Sequence, residues 1–166
     1  MFIIYKTAVF IHIISAIFWL GGILFTAGVL VPATRHKLLS EHRGTFFALV
    51  GEKFSRISWV LFVVLIITGI VQLLARGFTV DYLLSSSFWN SNFGSILGIK
   101  LSLFAIVLVI SGLHDFWLGP KAVELMNKKP NQNHTRIYQK ASRWAGRLNL
   151  ILGLLILYFA ITLVRG

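Results

Sequence analysis

Four apolar runs, each long enough to cross a bilayer, constrain this chain more than any other feature. They cover about residues 2–31, 57–75, 95–118 and 148–164. A helix rises about 1.5 Å per residue, so roughly 20 residues cross the hydrocarbon core. Lipid offers backbone groups no hydrogen-bond partner, so such runs must form helices or a closed barrel. The expectation is an all-α fold: an integral membrane four-helix bundle, one four-span domain over residues 1–166. The first run is longer than a signal-peptide h-region and no A-x-A site follows it, so it is read as a retained span. Pro32 closes it, and Gly119-Pro120 reads as a helix stop after the third.

Composition excludes the other classes. Hydrophobic residues make up 57% of the chain and charged residues 13%, against about 25% charged in an ordinary soluble domain. A soluble domain of this length could not hide so much apolar surface. A soluble enzyme, a disordered chain and a disulfide scaffold are thereby excluded. No G-x-S-x-G, P-loop or H-E-x-x-H motif is present. There are no cysteines. The methionines, Met1 and Met126, lie outside the spans, which matters because Cys and Met are the soft ligands of Cu(I).

The net charge of +11 is distributed by loop. The first loop carries Arg35, Lys37, Arg43, Lys53 and Arg56, and the third carries Lys121, Lys128, Lys129, Arg136, Lys140, Arg143 and Arg147. The second has only Arg76, with Asp81 against it. By the positive-inside rule, loops 32–56 and 119–147 are cytoplasmic and both chain ends face outward (N-out/C-out). The basic residues form no separate polar domain, so the expected partner is the lipid bilayer and not nucleic acid. The second loop, residues 77–94, is rich in Ser, Asn and aromatics, as at a membrane interface. Residues 128–133 read as a polar turn. The helical spacing of Phe46, Phe47, Val50 and Phe54 predicts that 40–56 continues into the second span or lies on the inner surface.

Ionisable groups inside spans are costly and mark functional candidates. His12 lies in the first span, and Lys100, His114 and Asp115 lie in the third. Gln72 and Thr68 are the notable polar groups of the second, and Asn149 begins the fourth. Counting rise from each span's middle places His12, Gln72 and Lys100 together, roughly 10 Å toward the outside. His114 and Asn149 lie at a second depth, near Arg56, Arg143 and Arg147. The histidines are then nearly 20 Å apart in depth, too far to share one metal or haem iron. At helical spacing, His12, Ser15, Trp19, Gly22 and Thr26 share a stripe, as do Lys100, Phe104, Val107, Ser111 and His114. Such stripes point into the bundle. The Gly21-Gly22 pair admits a close helix approach or a planar ligand.

The opening from Phe10 to Gly22, with His12, Trp19 and the glycine pair, then Val31-Pro32-Ala33, resembles the first span of the copper resistance protein D (CopD) family. Gly94 to Lys100 followed by Leu113 to Pro120 resembles its third span, and Gly146 to Leu150 the start of its last. The resemblance covers almost the whole chain. It implies copper uptake across the bacterial inner membrane, multi-pass, with a homo-oligomer or a copper-delivering periplasmic protein as possible partner. The chain also resembles, more remotely, the HemJ-type protoporphyrinogen oxidases, in which a first-span histidine and a third-span lysine accompany haem. His12, Trp19 and Lys100 are the positions that would carry over. The fourth span lacks the Asn-Glu-x-Pro stretch of that family.

Three functional readings stand. The first is copper handling, with His12 as an entry ligand and His114 as a second candidate metal ligand. The second is a haem b redox protein, with His12 axial, Lys100 near the propionates, and Trp19 and Gln72 lining the site. The third is a membrane subunit without a cofactor, in which His12 joins helices and Lys100 snorkels to the headgroups. Asp115 and His114 are expected to form an interfacial ion-pair cluster with Arg143 or Arg147. His36, His42 and His134 read as solvated loop residues.

Overall fold

A computed structural model describes residues 2–34, 36, 43–128 and 133–165, excepting the side chains of Arg43, of residues 126–128, and of His134 and Arg165. Arg35, Lys37, His42, Lys129 and most of the polar turn at 128–133 lie outside the described residues, as do the side chains of Lys128 and His134.

Four long helices carry the chain. Helix α1 is Phe2–Ala33 and α2 is Arg43–Ala75. Helix α3 runs through Asn92–Leu113, His114–Leu118 and Gly119–Lys128, and α4 is Asn133–Arg165. All four are long and apolar enough to cross a membrane, and no strand occurs among the described residues.

The helices outrun their apolar stretches. Residues 43–56, expected to be helical and either to continue into the second span or to lie on the inner surface, belong to α2, and residues 119–128 and 133–147, the basic flanks of the third connection, belong to α3 and α4. Apolarity marks where lipid ends, whereas a helix continues while its backbone bonds can be made. The two prolines show how. Proline lacks an N–H, and its ring crowds the carbonyl four residues back. In α1 a π-helical turn at Thr26–Leu30 precedes Pro32, with the Val31 N–H bonding the Thr26 carbonyl. In α3 the π turn at His114–Leu118 precedes Pro120, with the Gly119 N–H bonding the His114 carbonyl. The widened turn takes up the extra residue, and the helix resumes. Gly119-Pro120 is therefore not a stop.

Neighbouring helices are antiparallel. Going one way along the bundle, α1 meets α2 as His12 with Thr68, Trp19 with Phe62, then Gly22 with Phe54. Helix α2 meets α3 as Phe62 with Phe104, then Ser55 with Asp115, and α3 meets α4 as Ser111 with Asn149, then His114 with Ser142. Both described chain ends thus lie at one end of the bundle. Gly22 is filled by the Phe54 ring and Gly21 faces open space, so the glycine pair serves a helix approach. At Gly153 an added Cβ would lie 2.8 Å from Leu20 and 3.2 Å from Trp19, so α4 and α1 close there because the position is glycine.

The core is a layer of aromatics halfway along the bundle. Phe62 is 1% exposed and receives Trp19 edge-on at 5.4 Å, Trp59 at 5.6 Å and Phe104 at 5.7 Å. Val107 completes it without exposure. Edge-to-face packing suits the ring quadrupoles. Much of the remaining interior is small or polar: Ser15, Ser58, Thr68 and Ser111 are buried along with Leu65 and Leu97, while Phe10, Ile17, Ile67, Val109 and Ile161 face outward. That distribution fits helices whose outer surface meets lipid.

The 76–92 connection is a packed cap. Thr79, Ser85 and Ser91 accept from the N–H groups of Tyr82, Phe88 and Gly94, capping two short helical turns (Val80–Leu84 and Ser86–Trp89) and α3. Phe88 is buried among Phe78, Tyr82, Trp89 and Phe93. Arg76 donates to the Tyr5 hydroxyl at 3.0 Å, tying the cap to α1.

Candidate functional site

Two polar clusters flank the aromatic layer, one toward the end that holds the chain termini and one toward the basic end. The first is built on His12. Its Nδ1 lies 2.8 Å from Thr68 Oγ1. The Thr68 hydroxyl has one hydrogen and directs it at backbone carbonyls, 2.6 Å from Val64 and 3.3 Å from Leu65. When that hydrogen goes to the Val64 carbonyl, Thr68 accepts from His12 Nδ1–H, and Nε2 keeps the bare lone pair. A threonine in an α-helix bonds back to the preceding turn as a matter of course. Here that habit leaves the Thr68 oxygen free to accept from an Nδ1–H.

Lys100 of α3 is close enough for its charge to act on His12. Among the described residues no side chain hydrogen-bonds it. Gln72 stands one turn beyond Thr68 on α2, with its Nε2 buried and without a hydrogen-bond partner among the described residues. The structure thus joins His12 to Thr68 and sets Lys100 within electrostatic reach. Trp19 sits a level deeper, 5% exposed, in the aromatic layer.

The second cluster centres on Asp115. Its Oδ2 accepts from Ser55 Oγ at 2.6 Å and from Trp59 Nε1 at 3.2 Å, and its Oδ1 accepts from His114 Nδ1 at 2.8 Å. His114 Nε2 lies 2.9 Å from Ser142 Oγ. This network links α2, α3 and α4. The π turn that starts at His114 carries both side chains into it. The expected ion pairs with Arg143 or Arg147 are not formed: Arg143 donates to Gln139, and Arg147 lies over the Trp144 ring. Those arginines are exposed, and the carboxylate is satisfied from within by uncharged donors and an imidazole. Ser58 Oγ and Asn149 Oδ1 are also buried here without a hydrogen-bond partner among the described residues, although Asn149 Nδ2 donates to Ser111.

Removing the Asp115 carboxylate leaves three donors unmet at a site 14% exposed. Asp115→Ala is expected to lower stability by about 3 kcal/mol, with Asp115→Asn less damaging, as read from unfolding in mixed micelles. An alanine variant as stable as the parent would show that these bonds do not hold the inner end together.

Among the described residues, no three His, Cys, Asp or Glu side chains gather as a closed metal site. The histidines lie in separate clusters, with different partners. The partners Thr68, Ser55, Trp59 and Ser142 were not selected as site residues from sequence. A sign was present for two of them: Ser55 and Trp59 are four apart on α2 and share a helix face.

Fold and clusters together define a multi-pass helical membrane protein with polar groups held inside its bundle. Comparison with known proteins narrows this. Residues 48–163 match the family described as Copper resistance protein D. A protein of Aquifex aeolicus (strain VF5), described as uncharacterized, is 34% identical over 158 residues, covering 95% of this chain and 93% of that one. No solved structure matches. The chain belongs to the Copper resistance protein D family, a family of copper-resistance membrane proteins. The family match takes in α2, α3 and α4, and the Aquifex relative also spans nearly all the chain.

Proposed function

We propose that this chain handles copper at the bacterial inner membrane, binding it or passing it inward, with His12 as the ligand on the outward side. The observation that carries this is the 2.8 Å contact between His12 Nδ1 and Thr68 Oγ1. With Nδ1–H held by Thr68, the Nε2 lone pair is the donor that a copper ion takes, and a second hydrogen-bonded shell of this kind orients metal-bound histidines generally. Imidazole suits copper. No thiolate can contribute, because the chain has no cysteine. One imidazole beside a lysine does not hold a bare dication well. The copper complex should therefore carry negative charge, such as an anionic co-ligand facing Lys100 or a carboxylate from a delivering protein or second copy. The sidedness that goes with this is N-out/C-out, with the basic ends of α2, α3 and α4 in the cytoplasm.

A second reading rests on Lys100. A haem b with His12 as axial ligand would set a propionate toward the ammonium. The two readings separate in one sample. The purified protein is titrated with Cu(II) in the presence of chloride, and its optical spectrum is recorded before and after dithionite. Stoichiometric copper binding without a Soret band supports copper. A Soret band that shifts on reduction overturns it in favour of haem.

A further inference from the structure

We propose that the basic half of α4 is a binding site for one anionic phospholipid, holding its phosphate between Arg143 and Arg147. An open cavity of about 550 Å³ is lined by Arg136, Gln139, Lys140, Arg143, Trp144 and Arg147. These side chains recur at helical spacing along one stripe of α4. Two cations elsewhere at this end of the bundle have carboxylates: Arg56 pairs with Glu52, and Lys121 with Glu124. Helix α4 contains no Asp or Glu from Asn133 to Arg165. Among the described residues, none of its four lining cations has an acidic partner. The stripe thus presents positive charge that an anion from outside the chain can balance.

The geometry suits a phosphate. Gln139 accepts from Arg143 at 3.3 Å, and the Arg147 guanidinium lies over the Trp144 ring at 5.3 Å. Both forks are thus steadied one turn apart, and guanidinium matches phosphate oxygens in pairs. Trp144 is half exposed where polar residues give way to the apolar run, as tryptophans stand at headgroup level.

What makes the ligand a lipid is the continuation of the stripe. Below Arg147 it passes through Ile151, Leu154 and Tyr158, all well exposed. A headgroup held by the arginines would lay its acyl chain along these residues. A free phosphate or a nucleic acid has nothing to place there. This inference stands apart from the copper reading and needs no metal.

The test is native mass spectrometry on the purified protein in detergent, with added dioleoyl phosphatidylglycerol or dioleoyl phosphatidylcholine. The parent protein is expected to retain one phosphatidylglycerol and to bind it at least tenfold more tightly than phosphatidylcholine, each basic contact adding to the preference. Arg143→Gln with Arg147→Gln should remove that preference, whereas Lys53→Gln, a basic residue of α2, should keep it. Equal retention of the two lipids by the parent protein overturns the proposal. So does displacement of phosphatidylglycerol by millimolar inorganic phosphate, which would make this a free-phosphate site. Tight binding of single-stranded DNA with no lipid preference would reassign the stripe to nucleic acid. Circular dichroism and gel filtration confirm that the variants are folded, and Ile151→Asn, which leaves the charges intact, should weaken retention through the acyl contact alone.

Discussion

On the copper reading proposed above, His12→Ala is expected to abolish copper binding at the cluster nearer the chain termini, a loss of at least about a hundredfold in affinity, because it deletes the imidazole ligand of that cluster. Thr68→Val is the more telling companion. It keeps the shape of the side chain and removes the acceptor that pins the proton on Nδ1. The imidazole is then free to rotate and to take the other tautomer, and affinity is expected to fall about 10- to 100-fold with the ligand still in place. Both are read by equilibrium competition with a chromogenic copper chelator. If His12→Ala binds copper as the parent does, the outward site is elsewhere. If Thr68→Val is unchanged while His12→Ala fails, His12 is a ligand but its tautomer is not set by Thr68.

Phe62→Ala carries the second large effect. Phe62 is the one ring touched by Trp19, Trp59 and Phe104 together, and it is almost wholly buried. Its removal opens a cavity that three other large rings border, and these cannot all collapse into it from three different helices. Loss of stability of about 3–5 kcal/mol is expected, from the cost of such truncations in packed cores. Within a bilayer, helix association depends on packing of this kind because lipid tails are as apolar as the core. Unfolding of the variant by added dodecyl sulfate should shift accordingly. A small shift would mean that α1–α2 and α3–α4 are held as separate pairs and that the aromatic layer adds little between them.

Much of this was open to reading without coordinates. The stripe through Ser15 and Trp19 and the stripe through Phe104, Val107 and Ser111 do face inward, since 3.6-residue spacing puts such positions on one side of any helix. The spacing of Phe46, Phe47, Val50 and Phe54 marks 43–56 as helical, and the unbroken α2 from Arg43 to Ala75 decides that it continues into the second span rather than lying apart from it. Pro32 and Pro120 read as ends because the penalty for proline is local, whereas the π turns that absorb it depend on what the helix gains by continuing. In α3 that gain includes the His114–Asp115 network. The pairing of Asp115 could not be read from charge. Arg143 and Arg147 lie at a similar depth, but depth counts rise along an axis and says nothing of azimuth. Azimuth turns the arginines outward and brings Ser55, Trp59 and Ser142 inward.

The amino-acid sequence by itself determined that this is a four-span helical membrane protein and which positions along each span are polar. Those properties follow from hydropathy and from helix geometry, which are local. The tertiary structure alone decided which partner each polar group takes: Thr68 for His12, Ser55, Trp59 and His114 for Asp115, and, among the described residues, no acid for the arginines of α4. A hydrogen-bond partner is fixed by how four helices are rotated and staggered against one another. That arrangement is set by the fit of Trp19, Phe62, Phe104 and Gly153 across the core, which no single stretch of sequence encodes.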